Sequence, residues 1–375
     1  MKVVLAPDSF KESMSAAEAA RAMARGVREV YPDADCVEVP MADGGEGTTE
    51  ALVDALGGRW RTVASVDALR RPITAAYGLL PGGVAVIEVA AAVGIGLIAP
   101  AERDVLRATS LGVADLVRDA LDAGATRLIV GLGGSVTTDG GAGMLAGLGA
   151  RWLDADGGPL APDPASLATL ARVDLTGLDP RLRGITVDLA CDVTNPLLGP
   201  HGSAAVFGPQ KGATPAQVPV LDATLARIAD ALVAAGTPEV RDQPGAGAAG
   251  GLGAAWLSLG ARRRKGVEVV AEAVGLDRHL RGASLVLTGE GSVDAQTLAG
   301  KTPAGVAAVA AARGVPVIAF AGRLGPGADD LVHHGFAAVL PIMAGPGDLA
   351  AALAAGPANL QRAVATAMRL YRLGQ

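Results

Sequence analysis

Residues 126–144 read T-R-L-I-V-G-L-G-G-S-V-T-T-D-G-G-A-G-M. The first five are apolar enough for a buried strand, and the M-L-A-G-L that begins at Met144 reads as the start of a helix. Between them lies a loop of glycines with hydroxyls from Ser135, Thr137 and Thr138. Glycine lets backbone N–H groups crowd around a charged ligand, and a helix N-terminus adds unpaired donors and a positive dipole end. The stretch therefore has the shape of an anion site in an α/β fold. A lone loop of this kind is more often a tight turn without a ligand, so its meaning depends on what surrounds it.

The same rhythm opens the chain. A strand over residues 2–6 ends in A-P-D-S-F-K at 6–11, and a helix follows over 16–30 with Ser13 or Ser15 as its cap. A second strand over 35–39 runs into M-A-D-G-G-E-G-T at 41–48 and another helix to about residue 56. Two consecutive units of this type predict a parallel sheet. In such sheets ligands sit at the C-terminal strand ends, which here carry Asp8, Ser9, Lys11, Asp43 and Glu46.

From about residue 59 the pattern shortens to alternating stretches at 60–66, 73–80 and 84–90, with P-G-G at 81–83, which predicts antiparallel hairpins. Further on come the 131–144 loop, a strand at 185–190 ending in C-D-V-T-N-P-L-L-G, the segment F-G-P-Q-K-G at 207–212, a helix over 215–235 and a glycine-rich patch at 245–253. The opening rhythm then returns with strands at 285–287, 315–320 and 337–340 and a helix over 348–369. Two strands before the interruption and three after it make five. The predicted fold is α/β, a flavodoxin-like parallel five-stranded sheet domain (1–70 and 281–375) interrupted by a second α/β domain with a mixed sheet (71–280).

Composition removes several function classes. Half of the 375 residues are hydrophobic, ample for two cores, while only 3% are aromatic, so stacking platforms for bases or sugars are scarce. A net charge of -6 argues against nucleic acid or an anionic membrane as partner. The longest apolar run, 84–100, contains Glu88 and several glycines and is too short and interrupted to span a bilayer, and no leader pattern opens the sequence. Cys36 and Cys191 make no disulfide framework, which places the protein in a reducing cytoplasm; the four histidines lack metal spacing.

Two familiar motifs nearly match. G-A-G-A-A-G at 245–250 satisfies the dinucleotide spacing, but R-D-Q-P precedes it where an apolar strand is required. G-K-T at 300–302 resembles the end of a P-loop, yet Ala295 stands in place of the first glycine. What remains is a set of carboxylates flanked by glycine or hydroxyls at strand ends, Asp8, Asp43, Glu46, Asp139, Asp192, Glu290 and Asp294, with Lys11, Lys211, Lys301 and Arg323 in comparable loops. Carboxylates of this kind can hold magnesium or take a proton from a hydroxyl, and the cations can hold phosphate or a carboxylate. Each one taken alone is more often a turn, a cap or a solvated charge. Together they suggest phosphoryl transfer, which needs positioning and charge neutralisation.

The blocks A-P-D-S-F-K (6–11), M-A-D-G-G-E-G-T (41–48), G-L-G-G-S (131–135) with D-G-G-A-G (139–143), C-D-V-T-N-P-L-L-G (191–199), F-G-P-Q-K-G (207–212), G-A-A-G-G-L-G (247–253) and T-G-E-G-S (288–292) resemble, in order, those of the bacterial type I glycerate kinases. Glu12 and Met14 depart from that pattern, standing where a glycine and a leucine are common, and Thr138 stands where asparagine is common. The resemblance implies ATP- and magnesium-dependent phosphorylation of D-glycerate, usually to 2-phosphoglycerate, in a cleft between a flavodoxin-like domain and its insert.

Within that expectation Asp192 is assigned as the base for the substrate hydroxyl, with Asp43 as runner-up and Lys11 as a catalytic cation. Glu290, with Asp294 or Asp43, is assigned to magnesium. Asp8, Ser9, Gly44, Gly45, Gly133, Gly134, Ser135, Thr138, Asp139, Thr194, Asn195, Gln210, Lys211 and Arg323 are the candidates for substrate and phosphate. A homodimer stays open. The competing classes are a hydroxy-acid dehydrogenase, which lacks its strand-borne fingerprint here, and a non-catalytic metabolite sensor, which would have eroded carboxylates.

Overall fold

The computed structural model describes residues 1–345 and 347–374. Its strands in chain order are β1 (Lys2–Leu5), β2 (Asp35–Glu38), β3 (Arg59–Val66), β4 (Pro72–Leu80), β5 (Val84–Glu88), β6 (Arg127–Gly131), β7 (Arg151–Leu153), β8 (Arg172–Asp174), β9 (Thr186–Ala190), β10 (Arg262–Arg264), β11 (Leu285–Val293), β12 (Val317–Leu324) and β13 (Ala338–Pro341). The chain divides into two compact units. One comprises Met1–Asp43, Glu50–Gly57 and the chain from Lys265 onward; the other comprises Gly44–Thr49 and Gly58–Arg264.

The first unit is built on a five-stranded sheet in the order β13-β12-β11-β1-β2, with every neighbouring pair parallel. Numbered along the chain, that is the flavodoxin order 2-1-3-4-5, and the order reverses between β1 and β11. The central strands are continuous apolar runs because helices cover both faces of such a sheet. Helix Ala16–Arg28 begins at Ser15, whose hydroxyl accepts from the Glu18 N–H while the Glu18 carboxylate accepts from the Ser15 N–H. It packs on helix Gly356–Leu373 at Gly26, where a Cβ would lie 2.5 Å from the Gln361 carbonyl oxygen. Phe10, Met23, Phe320, Leu360 and Met368 fill the core.

Two elements differ from expectation. The single helix expected over 348–369 is two, Leu349–Ala354 and Gly356–Leu373, because Pro357 in the first turn of the second has no N–H to continue the first. The strand expected to end at Leu287 continues to Val293. Its extension pairs with β12, Glu290 opposite Ala321 and Ser292 opposite Arg323, which gives its backbone groups partners. Gly289 permits this: a Cβ there would lie 2.3 Å from the Phe320 carbonyl oxygen.

The second unit holds a six-stranded mixed sheet, β10-β9-β6-β5-β4-β3, and a two-stranded ribbon, β7-β8. The expected hairpins are β3, β4 and β5, which pair antiparallel, whereas β5, β6, β9 and β10 run parallel. Because β3 already pairs with β4, the main stretch of this unit starts at Gly58, upstream of the boundary expected near residue 70. The first unit resumes at Lys265, where helix Gly266–Val274 packs on helix Thr302–Ala311, ahead of the boundary expected near 280. Trp152, Trp256, Tyr77, Ile87 and Leu116 are the large members of the core. The short strands β7, β8 and β10 span three residues each, too few to show a period. Among the described residues no helix is long and apolar enough to cross a membrane.

Candidate active site

In the first unit the chemistry gathers where the strand order reverses, between the ends of β1 and β11, the position at which open α/β sheets bind ligands. Asp8 follows β1 and is buried. Its Oδ1 accepts from the Ser9 N–H at 2.6 Å and the Ser9 hydroxyl at 3.3 Å, and its Oδ2 accepts from the Thr302 hydroxyl at 2.5 Å. Glu290, on β11, accepts from the Thr297 hydroxyl at 3.0 Å and has the Lys301 ammonium at 3.6 Å. Lys301 also donates to the Ser292 carbonyl at 3.1 Å. Burial, with the neighbouring charge of Asp43, pushes the Asp8 carboxyl up to about 6 despite the hydrogen bonds it accepts. Burial, with Asp8 and Asp43 nearby, pushes Glu290 up to about 7, outweighing Lys301 and Thr297. Two buried carboxyls raised in this way, with a third carboxylate beside them, are short of positive charge.

The other candidates of this unit are placed differently. The Asp294 carboxylate accepts from the Gln296 N–H at 2.8 Å and caps the short helix Ala295–Ala299, so it is occupied as a cap. Lys11 and Arg323 are exposed, and among the described residues neither side chain makes a hydrogen bond or ion pair. Thr297 and Thr302 are the partners that the sequence reading left out. The G-K-T that resembles the end of a P-loop instead sets its lysine beside Glu290 and its threonine hydroxyl on Asp8.

In the second unit two glycine loops lie side by side. A Cβ at Gly131 would lie 2.9 Å from the Gly44 carbonyl oxygen, and one at Gly133 would lie 3.6 Å from the Gly45 Cα. Gly133 and Gly134 form the exposed tip, and Gly134, at φ +71°, adopts a conformation that glycine takes without strain. Beneath the tip everything is interior. The buried Lys211 ammonium donates to the Thr137 carbonyl at 2.6 Å and the Ser135 hydroxyl at 3.2 Å. Burial lowers it to about 7, a fall that the charge of Asp139 opposes. Asp139, also buried, accepts from the Ser110 N–H (2.6 Å) and hydroxyl (2.8 Å) and from the Gly143 (3.0 Å) and Gly141 (3.2 Å) N–H groups. Burial nonetheless holds its carboxyl above the usual range. Lys211 and Asp139 thus brace the loop from below. The Thr137 and Thr138 hydroxyls are buried there without a protein partner.

The glycine patch at 245–250 completes this brace. A Cβ at Gly250 would lie 1.9 Å from the Thr137 carbonyl oxygen, and the Gly140 N–H donates to the Gly250 carbonyl at 2.9 Å. Those glycines are needed for backbone to meet backbone, and the space a dinucleotide would need is filled by the chain itself.

Asp192 follows β9 and is half-buried. Beside it, Arg263 of β10 donates to the Val193 carbonyl at 3.2 Å and approaches the Asp192 carbonyl at 3.5 Å. Thr194 is exposed, and the Asn195 amide donates to the His201 carbonyl at 2.8 Å, closing the 195–201 turn. Gln210 is exposed, and its carbonyl accepts from Arg103 at 2.9 Å. Arg103 and Arg263 were not foreseen, since an arginine acting on backbone carbonyls belongs to no sequence motif.

An α/β protein with paired carboxylates at a strand-order reversal and a braced glycine loop has the equipment of a phosphotransferase. Residues 3–372 match the model of the glycerate kinase family. A glycerate kinase of Bacillus subtilis is 48% identical over 347 residues, covering 92% of this chain and 91% of that protein. A glycerate 2-kinase of Escherichia coli is 46% identical over 365 residues, covering 97% and 96%. The crystal structure of a protein provisionally described as glycerate kinase 2 from Salmonella typhimurium superposes with a TM-score of 0.92 at 46% identity, covering 100% of this chain and 99% of that one. The chain belongs to the glycerate kinase family, enzymes that transfer a phosphoryl group to an alcohol.

Proposed function

We propose that this protein transfers the γ-phosphoryl group of ATP to D-glycerate and releases 2-phosphoglycerate and ADP. The observation that carries the reading is the cluster of Asp8, Glu290 and Asp43 at the strand-order reversal, where burial, with the neighbouring negative charge, raises Asp8 and Glu290. The descriptions of the relatives support glycerate as acceptor, and that of the Escherichia coli protein supports its 2-hydroxyl.

The donor set fits magnesium. Its side-chain donors are hard oxygens. Among the described residues no group of three or more His, Cys, Asp or Glu could hold a metal ion alone. Magnesium ordinarily binds through one or two carboxylates and completes its shell with water and phosphate. Glu290 and Asp8 would hold it, ahead of Asp294, which serves as a cap. When bound, the ion offsets the negative charge of the phosphates.

The remaining roles follow from exposure and chemistry. Asp192 accepts the proton of the glycerate hydroxyl, with Asp43 as the alternative base. Backbone N–H groups of Gly44, Gly45, Gly133 and Gly134 cradle a phosphate, with the Thr138 hydroxyl beneath them, while Ser135, Asp139 and Lys211 keep that loop in shape. Thr194, Asn195 and Gln210 border the acceptor, and Lys11 and Arg323 offset phosphate charge. Release of ADP that requires both D-glycerate and magnesium is the expected result in a coupled assay; ADP release indifferent to glycerate counts against the reading.

A further inference from the structure

The first unit contains a cavity of about 250 Å³ at one end of its sheet. Phe10, Ile342, Leu349 and Leu353 give it apolar walls, and Lys11 and Arg323 are among its lining residues. It opens at the C-terminal ends of the strands: Phe10 and Lys11 follow β1, Gly291 lies on β11, Gly322 and Arg323 lie on β12, and Ile342 follows β13. We infer that this cavity seats the nucleoside of ATP, with Lys11 and Arg323 on its phosphates, which makes the first unit the nucleotide-binding one. The inference rests on the kinase reading above and adds to it the location of the nucleotide.

Four observations support it. The cavity has more room than a three-carbon hydroxy acid fills, and its apolar walls suit a base and ribose better than a small acid that is polar on every carbon. Next, Lys11 and Arg323 are cations without a protein partner among the described residues, available to an anion. The cavity also adjoins the proposed magnesium site along the chain. Phe10 is two residues beyond Asp8, and Gly291 follows Glu290 on β11, so the cavity and the proposed magnesium site share the C-terminal end of one sheet, with the Glu290 side chain on the face opposite Gly291.

The fourth observation is Gly291 itself. Most glycines of this sheet are dictated by packing: a Cβ at Gly289 would lie 2.3 Å from the Phe320 carbonyl oxygen, and one at Gly322 would lie 2.6 Å from the Gly291 carbonyl oxygen. A Cβ at Gly291 would meet nothing closer than the Lys11 nitrogen at 3.5 Å, and its φ is not positive. The fold does not require a glycine there. A residue kept small on the wall of a cavity, with no internal need, leaves space for something that enters.

The test is equilibrium binding of magnesium ADP to the full-length protein, wild-type and two variants, alongside steady-state kinetics. Ala352→Trp fills the cavity from a half-exposed position on helix Leu349–Ala354, and Gly291→Ala adds one methyl group to its wall. Unfolding midpoints show whether each variant folds. The expected result is ADP affinity about tenfold weaker in Ala352→Trp and measurably weaker in Gly291→Ala, with the KM for D-glycerate within about twofold of wild type. If wild-type protein turns over glycerate while both folded variants bind ADP normally, the inference falls and the kinase reading stands. A raised glycerate KM with unchanged ADP affinity reassigns the cavity to the acceptor and equally overturns it. Wild-type protein that neither binds ADP nor turns over glycerate overturns both.

Discussion

The hydroxyl of Thr302 donates to Asp8 Oδ2 at 2.5 Å, joining the loop after the first strand of the chain to the first turn of a helix that lies beyond the entire second unit. That bond fixes the carboxylate on which the magnesium proposal depends. Thr302→Val is expected to cost about 2 kcal/mol of stability, the usual worth of a hydrogen bond to a charged group, and to raise the magnesium concentration for half-maximal activity. Chemical denaturation and a magnesium titration check the two effects. An unchanged titration would separate Asp8 from the metal.

The raised carboxyls predict an unusual pH dependence. Asp8 and Glu290 bind protons more tightly folded than unfolded, with folded values of about 6 and about 7 against ordinary values of 3.8 and 4.5. Between those limits the native state holds more protons than the unfolded state, so the free energy of unfolding falls as pH rises from about 4 to about 7. Glu290→Gln removes one of the two groups and is expected to flatten the slope. Urea unfolding of metal-free protein at several pH values reads this directly; a rising slope through that window would contradict the assignment.

Glu12 sits at φ +63°, in the left-handed region, inside the tight turn from Phe10 to Met14. A residue with a Cβ is strained there by roughly 1 kcal/mol, and glycine relieves the strain while adding some entropy to the unfolded chain. Glu12→Gly is expected to raise stability by about 0.5 kcal/mol, and the β-branched Glu12→Val to lower it by about 1 kcal/mol.

Gly250 cannot carry a side chain, because its Cβ would lie 1.9 Å from the Thr137 carbonyl oxygen and its φ is +72°. Gly250→Ala must push the braced loop away from its support. The expected outcome is a loss of about 3 kcal/mol or more together with a severe fall in kcat/KM for glycerate, read by thermal unfolding and kinetics. Full activity in a stable variant would show that the shape of the loop is not required.

Asp192→Asn keeps size and hydrogen bonding but removes the proposed base. Turnover is expected to fall by about a hundredfold or more while ADP affinity stays within about twofold. Near-normal turnover would move the role to Asp43.

The parallel sheet was legible in the sequence because its central strands are continuous apolar runs ending in glycine-rich or polar loops, a signal that survives without contacts. The hairpins of the second unit were legible from alternation and from P-G-G at 81–83. The extension of β11 was not, since T-G-E-G-S looks like a loop until β12 is found beside it. The site was legible as residue types at strand ends but not as roles. Lys211 and Asp139 carry the charges that a phosphate site needs, yet both point into the interior, and only burial reveals that. Thr302 and Thr297 were invisible because a hydroxyl that orients a carboxylate has no pattern of its own.

The central claim is the reaction, and phosphorus NMR of a mixture of ATP, magnesium, D-glycerate and the purified protein tests it most directly. The account predicts loss of the γ-phosphate signal with growth of the 2-phosphoglycerate resonance in equal amount. Growth of the 3-phosphoglycerate resonance would contradict the proposed regiochemistry, and no new phosphoester at all would contradict the reaction.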